Sequence, residues 1–351
     1  MGRLSNKQPH KVVADAFEYK YVIAGRPKSG KTSLVHGIVK EKYDGDLSKL
    51  LLIAFEKGYK ALNGIHADDI KTWEDFRELV EELVTDKDEL PYKILALDTV
   101  DVMGKLAAKY VLKLQGRKDG GKKYTALNDL GYGKGHDLME TEMSEQLSKL
   151  ENAGYSLIFI THDKDKQFES REGVKFDKTI LSLGGRVRDL ILNMVDFVVF
   201  VELGKELEKG RQVDKRYIYF RGDSGLEAGS RFKHVPNRID YDFKGFVDTV
   251  EEAILAEYDG DVKEVEKAKK EQKKQKDAEV QEYMETLDDS VESPAELIAE
   301  IGERVKTMDK DEKLAVAEFF LEKLGMKDYR KSKDAEALAE VLEALRSRET
   351  E

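Results

Sequence analysis

Eight consecutive residues constrain this chain more than any other feature. Gly25-Arg26-Pro27-Lys28-Ser29-Gly30-Lys31-Thr32 matches G-x-x-x-x-G-K-[ST] in full. The flanks agree: YKYVIAG (19–25) reads as a buried strand and KTSLVHGIVKE, from Lys31, as a helix. A strand must turn sharply into a helix here, with glycine where the backbone needs positive φ. Such a turn points its N–H groups inward and, with the helix N-terminus, cradles phosphate oxygens. Residues 25–32, with Ser33 behind them, are the expected nucleotide contacts. Lys31 reaches toward β- and γ-phosphates in this motif, and the Thr32 hydroxyl ligates Mg²⁺. The expected ligands are therefore ATP and Mg²⁺.

The loop needs a sheet behind it, and the chain supplies one. KLLLIAF (49–55), YKILALD (92–98) and YSLIFIT (155–161) are short continuous apolar runs. Strands buried on both faces of a parallel sheet look like this. Amphipathic helices alternate with them. The clearest follows Thr72, an N-cap with Asp75 three residues on, and carries Phe76, Leu79, Val80, Leu83 and Val84 on one face. The fold class is α/β, a mostly parallel sheet between helices. VDFVVFVEL (195–203) and KRYIYFRGD (215–223) add two strands that are candidates for an antiparallel pair.

With the loop placed, the other strand ends become candidates. Asp98 closes YKILALD and is suited to hold magnesium opposite Thr32. Hydrolysis also needs a base to orient water. The residue after Asp98 is Thr99, which cannot serve, whereas Glu56 closes the neighbouring run KLLLIAFE. Glu56 is thus the candidate base. Thr161-His162 closes the next strand, where a polar pair is placed to contact the γ-phosphate. With no cysteine in the chain, disulfides, thiolate metal sites and cysteine nucleophiles are excluded.

This order of parts resembles the RecA-like ATPase core, and more narrowly the phage-encoded RecA-like ATPases that include single-strand annealing proteins. AFEKGYKAL, LALDTVD, LGYGKGHDL, FITHDKD and EAGSRFKHVP carry the similarity over residues from about 17 to 250. The resemblance implies that Glu56 and Lys31 are catalytic, that Asp98 holds magnesium and that His162 senses the γ-phosphate. Thr-His departs from the Asn-Gln pair of RecA itself. Two DNA-contacting loops are also implied, at about 112–136 and 163–188. In the first, KLQGRKDGGKKY holds Lys113, Arg117, Lys118, Lys122 and Lys123 against Asp119 alone, with Tyr124 and, further on, Tyr132 available to stack on bases. The second includes Lys164 and Lys166, with Phe168 and Phe176. Lys164, Lys166, Arg186 and Arg231 are candidates for a cation acting on a neighbouring subunit's nucleotide.

The expected function is a DNA-stimulated ATPase that binds single-stranded DNA, forms a ring or filament of identical subunits, and promotes annealing or strand exchange in phage recombination. Two alternatives stay open. One is an ATP-switched loader with little turnover, which recruits a partner such as a single-strand-binding protein. The other is a small-molecule kinase, although the arginines are not clustered as a kinase lid requires.

Organisation and address complete the reading. The 351 residues divide into a tail (1–16), the ATP-binding core (17–258), a charged helical or disordered linker (259–292) and a helical module (293–351). The stretch 261–280 holds seven lysines and six acids, so its charge nearly cancels. The module opens with Ser293 as N-cap and Pro294 at the first helical position, and helices are expected at 309–324 and 333–346. No run approaches the ~20 apolar residues of a membrane span, and the polar N-terminus lacks an apolar signal core. A cytoplasmic protein with no membrane partner is expected, in the bacterial host if phage-encoded. The net charge of −11 argues mildly against a general nucleic-acid coat.

Overall fold

The computed structural model describes residues 9–208, 211–290, 294–332 and 334–348. Ser293 lies outside the described residues, as do residues 1–8 with their basic side chains. The chain divides into two compact units, 1–280 and 281–351.

The larger unit is built on one sheet. Its elements run β1 (Tyr21–Ala24), α1 (Lys31–Lys42), β2 (Leu50–Ala54), β3 (His66–Asp69), α2 (Trp73–Thr85), β4 (Ile94–Asp98), α3 (Val100–Lys118), α4 (Lys134–Asn152) and β5 (Ser156–Thr161). There follow β6 (Asp163–Glu169), β7 (Lys175–Leu181), α5 (Gly185–Met194), β8 (Phe197–Glu208), β9 (Arg211–Tyr219), β10 (Gly229–Ser230), β11 (Arg238–Asp240), α6 (Phe243–Glu257) and α7 (Val262–Ser290). The strand order is β11-β9-β8-β1-β5-β4-β2-β3. From β8 to β3 every neighbouring pair is parallel, while β9 and β11 continue the sheet antiparallel. This is the RecA-like P-loop arrangement, with β5 inserted between the loop strand β1 and the aspartate strand β4.

The physical reasons are local and then tertiary. Every residue of β1, β2 and β4 is buried, because helices cover both faces of the sheet. The Thr72–Asp75 capping box starts α2, with each side chain accepting from the other's backbone N–H. Beside β1, Tyr21 stacks on Phe197 at 4.9 Å between centroids, and Phe197 on Phe232 at 5.5 Å. These rings lock the parallel and antiparallel parts of the sheet together.

Two stretches differ from the sequence expectation. Residues 163–181, expected as a loop, form the antiparallel hairpin β6–β7, with Phe168 facing Phe176 across the strands. Phe168 is the one apolar residue of β6, and the chain turns back at 170–174, where the Ser170 N–H donates to the Val174 carbonyl. The charged stretch, expected as a charged helical or disordered linker, is helix α7, and its N-terminal part is docked on the larger unit rather than solvated all round. Ala268 is buried, and Lys269 and Lys276 pair with Asp15 and Glu18. Gln272 accepts from the Ala14 N–H at 2.8 Å and donates to the Val12 carbonyl at 2.8 Å. The nearly balanced charge is thus spent partly on pinning the segment before β1.

The smaller unit contains α8 (Pro294–Thr307), α9 (Lys310–Leu324) and α10 (Ala335–Arg348). Leu297, Ile301, Val316, Phe320, Leu338, Val341, Leu342 and Leu345 form its core. Arg346 grips both oxygens of Glu300.

Gln272→Ala leaves the partly buried Ala14 N–H unpaired, while the Val12 carbonyl keeps the Tyr258 hydroxyl, a loss of about 1–3 kcal/mol. Hydrogen exchange should rise selectively over residues 9–16, whereas Gln275→Ala, at an exposed position, should leave it unchanged. Ile301→Ala should destabilise the smaller unit by about 2–5 kcal/mol, read as faster exchange across α8 and α10 with the sheet unaffected.

Candidate active site

Parallel register brings the candidate residues to one edge. Ala24 pairs with Thr161, Ala54 with Asp98, and Asp98 with Ile160, so β1, β2, β4 and β5 end at the same level. Ligands in open α/β sheets bind at these carboxyl ends. The N–H groups of Phe55 and Glu56 both donate to the Asp98 carbonyl, at 2.7 and 3.1 Å. Glu56 is thereby held by the backbone of the very residue expected to hold magnesium.

The loop between β1 and α1 has the geometry its glycines foretell. Gly25 has φ +156°, and a Cβ there would lie 2.4 Å from the Val201 carbonyl oxygen. Gly30, the N-cap of α1, has φ +101°. Arg26, Pro27 and Lys28 form the exposed tip, and Ser29 is buried behind them. Ser33 follows, half-buried, in the first turn of α1.

Lys31 is buried, and its ammonium donates to the Gly25 and Arg26 carbonyls at 2.8 and 2.9 Å. Burial pulls its pKa down, while Asp98, Asp163, Asp101 and Glu56 oppose that pull. The Thr32 hydroxyl donates to Asp98 Oδ2 at 2.7 Å. Burial also pushes the Asp98 carboxyl up, and the Thr32 hydrogen bond and Lys31 restrain it. The residues fit a magnesium–nucleotide ligand. A buried ammonium sits on carbonyls beside a backbone cradle, and a hydroxyl–carboxylate pair of hard oxygen donors lies next to it.

Around His162 the structure adds a residue that the motif order missed. Glu56, Asp101 and His162 each bring a side-chain donor atom within 4.8 Å of the other two. His162 Nδ1 lies 3.5 Å from Asp101 Oδ2. Asp101 stands in the first turn of α3, three residues after Asp98 in LALDTVD, so helical spacing was the available signal. Thr161, fully buried at the end of β5, has a hydroxyl with no partner among the described residues.

The loop is also tied to the hairpin. Arg26 Nη2 meets Asp165 at 2.6 Å, and its Nε lies 3.6 Å from Asp163. Burial raises the Asp163 pKa, and Arg26 counters it.

The candidate DNA contacts fall in two settings. Helix α3 continues through Lys118, so Lys113 and Arg117 sit on a helix rather than in a loop. Lys113 pairs with Glu74 at 2.6 Å. Lys122 lies over the Tyr124 ring, and Lys118 and Lys123 are exposed. Tyr132, between the positive-φ glycines Gly131 and Gly133, is fully exposed. On the hairpin, Lys164 donates to the Leu183 carbonyl at 3.5 Å and Lys166 lies over Phe168. Of the candidate trans cations, Arg186 pairs with Asp137 and Glu140, and Arg231 with Asp196.

No helix among the described residues is long and apolar enough to cross a membrane.

Known proteins can now be set beside this geometry. The SPbeta prophage-derived uncharacterized protein YorG of Bacillus subtilis (strain 168) is 26% identical over 229 residues. That alignment covers 63% of this chain and 65% of YorG, so the chain spans slightly less than two thirds of that relative. The KaiC-like protein PH0186 of Pyrococcus horikoshii OT3 matches at 12% identity and a TM-score of 0.33, over 64% of this chain and 90% of that one. Superposition that loose carries no argument about this chain. A family model described as an AAA domain matches residues 18–232. With more than half of its length inside that match, phosphate loop included, the chain belongs to the AAA-domain family and its core is a P-loop NTPase domain.

Proposed function

We propose that this protein is a magnesium-dependent ATPase that binds single-stranded DNA as a homo-oligomer and promotes annealing or strand exchange in phage recombination. The observation that carries the reading is the Arg26 clasp. One residue of the phosphate loop holds Asp163 and Asp165 at the base of a hairpin that displays Lys164, Lys166, Phe168 and Phe176. Phosphate binding and a strand pair that carries lysines, acids and two facing aromatic rings are thereby joined through a single side chain. Basic groups beside aromatic rings suit sequence-tolerant binding of single strands. The prophage origin in the name of YorG supports the phage setting, and with it a bacterial cytoplasm.

The chain's own groups have separable tasks. Lys31 exchanges the Gly25 and Arg26 carbonyls for β- and γ-phosphate oxygens. Loop amides hold the remaining phosphate oxygens. Thr32 and Asp98 are the residues that hold magnesium, which when bound neutralises charge on the phosphates during transfer. Glu56 orients the attacking water and takes its proton. His162, beside Asp101, faces the same space and senses the γ-phosphate.

A second reading has one observation in its favour. On α9, Leu314 and Leu321 are 70% and 46% exposed at helical spacing. An apolar stripe of this kind fits a loader that recruits a partner, such as a single-strand-binding protein, through the smaller unit.

ATP hydrolysis with and without single-stranded DNA separates the readings. Lys31→Ala should abolish both binding and turnover. Glu56→Gln should lower turnover by ~10²–10⁴-fold while keeping ATP binding; turnover as low in wild type as in Glu56→Gln, with ATP-dependent partner binding intact, favours the loader. Phe168→Ala should weaken single-strand binding by about 1–3 kcal/mol. Lys164→Ala with Lys166→Ala should flatten the salt dependence of binding, followed by fluorescence anisotropy across a salt series.

A further inference from the structure

The groups that handle the γ-phosphate all lie on one flank of the loop strand. Glu56, Asp98, Asp101 and His162 follow β2, β4 or β5, which extend the sheet from β1 in one direction. The other flank is β8 and β9, and from it Arg216 reaches the loop. Arg216 stands opposite Leu203, three positions past Phe200, the residue level with the end of β1. Its side chain therefore overhangs the loop.

The contacts are close. A Cβ on Gly30 would lie 3.0 Å from Arg216 Nη1 and 2.9 Å from the Tyr241 hydroxyl. The Tyr241 hydroxyl donates to the Gly30 carbonyl at 2.7 Å, and the Arg216 guanidinium lies 4.9 Å from the Tyr241 ring centroid. Burial raises the Tyr241 pKa and the neighbouring Arg216 charge opposes it.

Arg216 is half-buried without an acid, whereas Arg117, Arg171, Arg211 and Arg238, which also show no ion pair among the described residues, are exposed, and Arg221 donates to backbone carbonyls. Arg26, Arg186, Arg188 and Arg231 are each paired with carboxylates. Arg216 forms no ion pair among the described residues, and its Nε is buried without a hydrogen-bond partner. A half-buried guanidinium with a shielded, unused donor is costly unless an anion completes it. The nearest built anion site is the phosphate cradle that Gly30 belongs to. Guanidinium forks match phosphate oxygens in pairs, which suits this position better than an ammonium.

We propose that Arg216, braced by Tyr241, is a nucleotide-binding residue acting in cis, which grips the α-phosphate end of the nucleotide. This rests on the nucleotide-binding reading above and adds the end of the ligand that reading leaves unassigned. Glu56 and His162 define where the γ-phosphate lies, and Arg216 is on the opposite flank. Its contact is therefore kept after hydrolysis: it holds ADP as firmly as ATP and contributes to affinity, not to the chemical step.

Calorimetric titration of wild type, Arg216→Ala and Arg216→Lys with Mg·ADP and Mg·ATP tests this, with thermal melts alongside. Arg216→Ala should raise Kd about tenfold or more for both nucleotides. Arg216→Lys should recover part of the loss, because it keeps the charge but not the fork. Wild-type Kd for ADP in Arg216→Ala overturns the proposal while leaving the nucleotide site intact. Weakening confined to ATP also overturns it, since that puts the guanidinium at the γ end. If wild type binds neither nucleotide, the proposal falls together with the ATPase reading. Should Arg216→Ala unfold, Arg216→Lys decides: a several-fold rise in both Kd values supports the proposal, and wild-type values sink it.

Discussion

A buried positive charge organises this molecule. Lys31 is out of contact with water at the start of α1, where the helix dipole is itself positive. An isolated ammonium there would be untenable. Two loop carbonyls accept its protons, and Asp98, Asp163, Asp101 and Glu56 surround it with negative charge. Those acids come from three stretches of the chain, at Glu56, Asp98–Asp101 and Asp163, and only the tertiary fold brings them together. The same acids are raised or restrained in turn: Asp98 is kept in check by Thr32 and Lys31, and Asp163 by Arg26.

Charge is sorted in space in a way the total hides. A net charge of −11 suggests a chain repelled by nucleic acid. Yet acids are gathered around Lys31 and along helices, while Arg117, Lys118, Lys122 and Lys123 stand exposed against Asp119 at the end of α3. Of the lysines of α7, Lys269 and Lys276 are turned inward, to Asp15 and Glu18. Local sign, not net charge, governs where an anionic polymer can approach.

Much of the site was legible because it is written locally. The eight-residue loop, the buried runs ending in Glu56, Asp98 and Thr161-His162, and the Thr72–Asp75 box each depend on neighbours within a few residues. Asp101 was legible in principle, one helical turn beyond Asp98. The hairpin was not legible locally, since β6 holds Phe168 as its one apolar residue and the charge and glycine of 163–181 read as a loop. Lys113, a candidate DNA contact by sequence, pairs with Glu74 because α3 packs beside α2. Nothing local marks Tyr241, 211 residues from Gly30, or Arg216, whose importance is the absence of a partner.

By itself, then, the sequence determined a phosphate loop, the strand ends that serve it and the α/β class, because those depend on periodicity and short-range backbone geometry. Only the tertiary structure decided which charges meet. Arg26 with the hairpin, Asp101 with His162, Gln272 with the segment before β1, and Arg216 over Gly30 are all long-range pairings. Their existence follows from strand order and register, and no local pattern encodes the distance between two residues far apart in the chain.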